Sequence, residues 1–75
     1  MKTTTLSSNQ IVELIKETMN ELDAKGVNPI RTMSEYIRSG DPTYLWQLDR
    51  ELRIRARSVE PEEMLDAILH QIYSA

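Results

Sequence analysis

Apolar residues recur along this chain at helical spacing in four runs, and the runs are separated by Gly and Pro. In the first, Ile11, Val12, Ile15, Met19 and Leu22 fall within one arc of about 100° on a helical wheel, with Glu13, Lys16, Glu17 and Asn20 outside it. Its start is marked by Ser7 as N-cap, Gln10 as the capping-box partner three residues on, and Leu6 with Ile11 at the two hydrophobic-staple positions. Its end is marked by Gly26, suited to a left-handed C′ position, and by the apolar Val27 that follows.

The next run opens with Asn28 as cap and Pro29 as first helical residue, where the missing N–H costs no hydrogen bond. Ile30, Met33 and Ile37 form the apolar line of a short helix, with Met33 spaced to meet Tyr36 or Ile37. Gly40, Asp41 and Pro42 then repeat the device of Gly26, Asn28 and Pro29. Beyond Pro42, Leu45, Leu48, Leu52, Ala56 and Val59 lie within about 80° of one another, which predicts a helix from Pro42 to about Arg57. The alternation in "LRIRARSV" also fits a strand, but a lone strand has no partner here. Within that helix, Asp49 with Arg53 and Glu51 with Arg55 are spaced as ion pairs. The last helix starts near Pro61 with Glu60, Glu62 and Glu63 at its positive end. Met64, Leu65, Ile68, Leu69, Ile72 and Tyr73 cover about 180° of it, a width that suits packing on two sides, against its own domain and a second subunit.

These elements give a compact all-α domain of four helices with helix-turn-helix-like breaks, residues 7–75, preceded by a flexible tail of residues 1–6. A 75-residue chain buries a modest core, and with no Cys and one His, His70, neither disulfide nor metal is expected to reinforce it. Self-association is the remaining support, so the expected unit is a homodimer, intertwined or side by side, with those six residues of the last helix as its interface. No apolar run spans a bilayer and "MKTTTLSSN" lacks a signal-peptide core, so a cytoplasmic protein without membrane insertion is expected. The net charge of −3 is uneven: −1 over residues 1–25, +2 over 26–58 and −4 over 59–75. An acidic total argues against a protein that coats nucleic acid.

The stretch "NQIVELIKETMNELDAKGVNPIRTMSEYIRSGDPTYL", residues 9–45, resembles the IreB family of small regulatory phosphoproteins of Gram-positive bacteria. Lys25, Gly26, Asn28, Pro29 and Ile30 match the family's first segment, and Ser39, Gly40, Asp41, Pro42 and Tyr44 its second, at the same separation. The resemblance implies an all-helical homodimer with a flexible tail, phosphorylated by a membrane Ser/Thr kinase and acting in cell-envelope stress, without enzymatic activity. This chain departs from the family in having no Phe and no acidic stretch around a tail Thr, and in carrying "WQLDRELRIRARSV" after the second break.

Thr3, Thr4 and Thr5 are the candidate phosphorylation sites, because a phosphate placed beside a helix N-terminus is stabilised by free N–H groups and the dipole. Trp46, Arg50, Arg53 and Arg57 share a face at spacings of 4, 3 and 4 residues and form the candidate partner-binding face, for nucleic-acid phosphates or an acidic protein segment. The plainer reading has those arginines paired with Asp49 and Glu60 and Trp46 closing the core; a third pairs them with the acidic start of the last helix across a dimer. Nothing supports catalysis: His70 lies on the polar side of the last helix, and Asp41 precedes Pro42 as a cap does. No cofactor and no metal are expected. The function implied is a regulatory adaptor that binds itself and an unknown protein. The rival is a helix-turn-helix DNA-binding dimer.

Overall fold

The two Gly-then-capped-Pro breaks set the topology. The computed structural model describes residues 6–74, which form helices α1 (Ser8–Ala24), α2 (Pro29–Ser39), α3 (Arg50–Arg57) and α4 (Pro61–Ser74), with a 3-10 turn at Pro42–Leu45 between α2 and α3. The described residues contain no strand.

Each α1 terminus is closed as its sequence specifies. Ser7 Oγ accepts the Gln10 N–H at 3.2 Å while Gln10 Oε1 accepts the Ser7 N–H at 2.8 Å. At the other end Gly26 takes φ +76°, the Gly26 N–H donates to Asp23 O and the Val27 N–H to Leu22 O, so the last carbonyls of the helix are satisfied. Asn28 Oδ1 then accepts the Arg31 N–H at 3.0 Å with Pro29 opening α2. Gly40, at φ +71°, donates its N–H to Tyr36 O at 2.7 Å and ends it.

The single helix expected from Pro42 to Arg57 is replaced by two pieces. Asp41 Oδ1 accepts both the N–H and the hydroxyl of Thr43, which starts the 3-10 turn. Continuing as an α-helix would require the Asp49 N–H to reach Leu45 O, four residues back. Instead Leu45 O accepts the Leu48 N–H, and the Asp49 N–H donates to Glu21 Oε2 on α1. Lys25 Nζ, from the residue that caps the C-terminus of α1, donates to Gln47 O and pairs with Asp49 at 3.2 Å. Side chains of α1 and its C-cap thus take over backbone groups that a longer helix would have used internally, and α3 starts afresh at Arg50.

The inward positions nonetheless survive the break: Leu45, Leu48, Leu52, Ala56 and Val59 are all buried. They join Ile11, Leu14, Ile15 and Leu22 of α1, Met33 and Tyr36 of α2, and Met64 and Ala67 of α4 in one core. α1 is its centre, packing against α2, α3 and α4, while α2 touches α4 and the 3-10 turn. Two inward positions of α1 lie outside the predicted arc. Leu14 and Thr18 are buried, whereas Val12 and Met19 are only half-buried, so the inner face is turned toward Leu14. Thr18 is tolerated there because its hydroxyl donates to Leu14 O at 2.8 Å. Ile30, placed on the apolar line of α2, is 69% exposed; Met33 and Tyr36 face inward instead.

Candidate interaction surface

Helix α4 presents two apolar faces. Met64 and Ala67 are enclosed in the core and Ile68 packs against it. On the other side Leu65 (46% exposed), Leu69 (53%), Ile72 (67%) and Tyr73 (91%) form a stripe at i, i+4, i+7 and i+8 with nothing packed on it. Met64, on the candidate dimer interface by its spacing, lies in the interior of the protomer. Glu62 and Asp66 are exposed and fall on the same arc of about 120° as the stripe. The helix has no Lys or Arg anywhere along it.

Helix α3 presents the complement. Leu52 and Ala56 face inward, and Arg50, Arg53, Ile54 and Arg57 share an outward arc of about 100°. Ile54 is exposed, and Arg53, Ile54, Arg57 and Ser58 line a shallow depression of about 320 Å³. Trp46 is not on this helix: it sits after the 3-10 turn, 66% exposed, with its carbonyl accepting from Arg53 Nη1 at 3.4 Å. The structure thus keeps Arg50, Arg53 and Arg57 together and joins Trp46 to them through its backbone.

The ion pairs anticipated inside this segment are made elsewhere. Asp49 pairs with Lys25, and Arg55 makes a two-pronged contact with Glu17, 3.0 Å on each arm. That contact holds Glu17 below its ordinary value, and desolvation works against it. Lys25 is pushed down by desolvation, but Asp49 and Glu21 outweigh this and hold its ammonium above its ordinary value. Among the described residues Arg50, Arg53 and Arg57 form no salt bridge with Asp49, Glu60 or any other carboxylate. Burial raises the Tyr36 phenol; Arg57 draws it down and Glu60 pushes it up.

A second concavity, about 220 Å³, runs between the start of α1 and α4, lined by Leu6, Ser8, Ile11, Glu63, Asp66, Ala67 and His70. Beside it the Gln71 amide donates to Asn9 Oδ1. The candidate phosphorylation sites Thr3, Thr4 and Thr5 lie outside the described residues. The break residues Gly26, Asn28, Pro29, Gly40, Asp41 and Pro42 all serve as caps or first-turn residues, and Thr43 holds the Asp41 carboxylate below its ordinary range. Among the described residues no group of three or more His, Cys, Asp or Glu is placed to hold a metal, and no helix is long and apolar enough to cross a membrane.

A family model described as IreB regulatory phosphoprotein matches residues 1–74 of the chain. A UPF0297 protein of Acetivibrio thermocellus is 41% identical over 61 residues, covering 81% of this chain and 67% of the relative. A UPF0297 protein of Ruminiclostridium cellulolyticum is 38% identical over 61 residues, covering 81% and 68%. A third, from Lachnoclostridium phytofermentans, is 41% identical over 49 residues, covering 65% and 54%. No solved structure matches the chain.

Proposed function

The chain belongs to the IreB regulatory phosphoprotein family, and on that premise we propose that it is a small non-enzymatic adaptor, acting as a homodimer through protein–protein contacts. Phosphorylation of Thr3, Thr4 or Thr5 by a Ser/Thr kinase is its control element, and cell-envelope stress signalling is its setting. The observation that carries the reading is the uncovered stripe of Leu65, Leu69, Ile72 and Tyr73, the four exposed apolar side chains that share one face of α4, whereas Ile30, Trp46 and Ile54 are exposed singly on other elements. A contiguous exposed apolar patch on a small protein marks an interaction site. One chain encloses a core of its own, which favours a side-by-side dimer over an intertwined one.

A phosphate added beside a helix N-terminus is stabilised by its free N–H groups and dipole, which is the mechanism proposed for this control.

Sedimentation at micromolar concentration tests the dimer. Wild type is expected at twice the 8.7 kDa protomer mass, and Leu69→Asp as a folded monomer. A folded wild-type monomer overturns the adaptor reading. Incubation with the cognate kinase tests control: a mass increase that Thr3, Thr4 and Thr5 replacement abolishes supports it, and an unmodified tail removes it. An adaptor of this kind gives no salt-sensitive retardation of DNA.

A further inference from the structure

Two outward arcs of the protomer make no salt bridge among the described residues, and they are opposite in chemistry. The outward arc of α4 is apolar with carboxylates, Glu62 and Asp66, and has no cation on its helix. The outward arc of α3 is cationic with one exposed aliphatic side chain, Ile54 between Arg50, Arg53 and Arg57. Residues 58–60 alone separate the two helices, so the arcs lie on consecutive elements.

We propose that in the homodimer the α4 arc of each copy seats on the α3 arc of the other, with Leu65 and Leu69 against Ile54 and with Glu62 and Asp66 facing Arg53 and Arg57. This rests on the dimer reading above and names its two surfaces. Pairing α4 with α4 of the partner would cover the same apolar residues but bring no Lys or Arg to the carboxylates caught in the contact, which disfavours it. Pairing α4 with α3 satisfies both arcs at once. A two-fold axis makes the exchange reciprocal, so two copies close the assembly and leave neither arc free for a third. The interleaving of charged and apolar positions along the two arcs also fixes the register, since a slip of one turn takes the carboxylates away from the arginines.

The arrangement predicts charge-swap behaviour. Arg53→Glu with Arg57→Glu, and separately Glu62→Lys with Asp66→Lys, each weaken dimerisation by about tenfold or more, and a chain carrying all four substitutions regains most of the loss. Unchanged far-UV circular dichroism confirms that each variant is folded. As the chain has no Cys, a second measurement is independent of charge: mixing Ile54→Cys with Leu69→Cys protein under mild oxidation yields the mixed disulfide in preference to either self-linked product. Self-linking of Leu69→Cys, or charge swaps without effect in a protein that Leu69→Asp still dissociates, overturns the α3–α4 seating while leaving the adaptor dimer intact. A wild-type monomer overturns both.

Discussion

Gly40 holds φ +71°, and a Cβ built there meets nothing nearer than Pro61 Cγ at 4.0 Å; Gly26, at φ +76°, has nothing within that range. Backbone conformation and not space requires glycine at both. Alanine at either site pays the left-handed strain alone, about 1–2 kcal/mol by urea unfolding, and the two variants should agree closely. A much larger loss at Gly40 would show that Pro61 is packed more tightly than the geometry allows. Glu17 provides a residue-scale test of pH. Its hydrogen bonds from Arg55 depress its pKa below the ordinary 4.5, so its contribution is present above the unfolded value and is lost as pH falls through the folded one. Glu17→Gln should therefore lose less stability on acidification than wild type. With side chains 49% and 53% exposed, the pair is screened and the difference small.

At the scale of elements, what the sequence made legible was local. A cap and the N–H it accepts lie within three residues of each other, so the ends of α1 and α2 could be read from Ser7, Gln10, Asn28 and the two glycines. The inward set Leu45, Leu48, Leu52, Ala56 and Val59 was legible too, because apolar spacing records burial. The break running through that set was not, since the groups that cause it, Glu21 and Lys25, lie 28 and 22 residues from the backbone they engage. The same reason hid the ion pairs: Arg55 had a correctly spaced neighbour in Glu51, yet it reaches Glu17, 38 residues away. Thr18 was missed for a different reason, its polarity masking a hydroxyl already satisfied by its own helix. For the candidate surface, the outward half of the α4 stripe was legible as excess width. Which half faced outward was not, since Met64 and Leu65 are equally apolar and only packing separates them. If Glu21 and Lys25 hold the break, Lys25→Met with Glu21→Gln frees the backbone of residues 47–49. Faster amide hydrogen exchange at Asp49 and the first turn of α3, with α1 unaffected, is the expected readout. Unchanged exchange there would mean that core packing of Leu45 and Leu48 alone sets the break.

For the whole molecule, the decisive quantity is how much stability one chain can hold. At about 0.05–0.15 kcal/mol per residue, a domain of this size has only a few kcal/mol to spare, and its core ends at Met64 and Ala67 on α4, leaving the outer stripe of that helix to water. Covering the stripe with a second copy links folding to association, so the melting temperature should depend on concentration. If dimer and unfolded chains dominate the equilibrium, each tenfold increase in protein lowers the free energy per chain by half of RT ln 10, about 0.7 kcal/mol, which for a domain this small is a rise of roughly 3–6 °C. Calorimetric scans of wild type across two decades of concentration should show that drift. Leu69→Asp should melt lower and at a temperature independent of concentration, because its folded state has no association left to shift. A wild-type melting temperature that stays constant over the same range would mean the stripe contributes nothing to folding in solution, and that whatever covers it in the cell is a different protein.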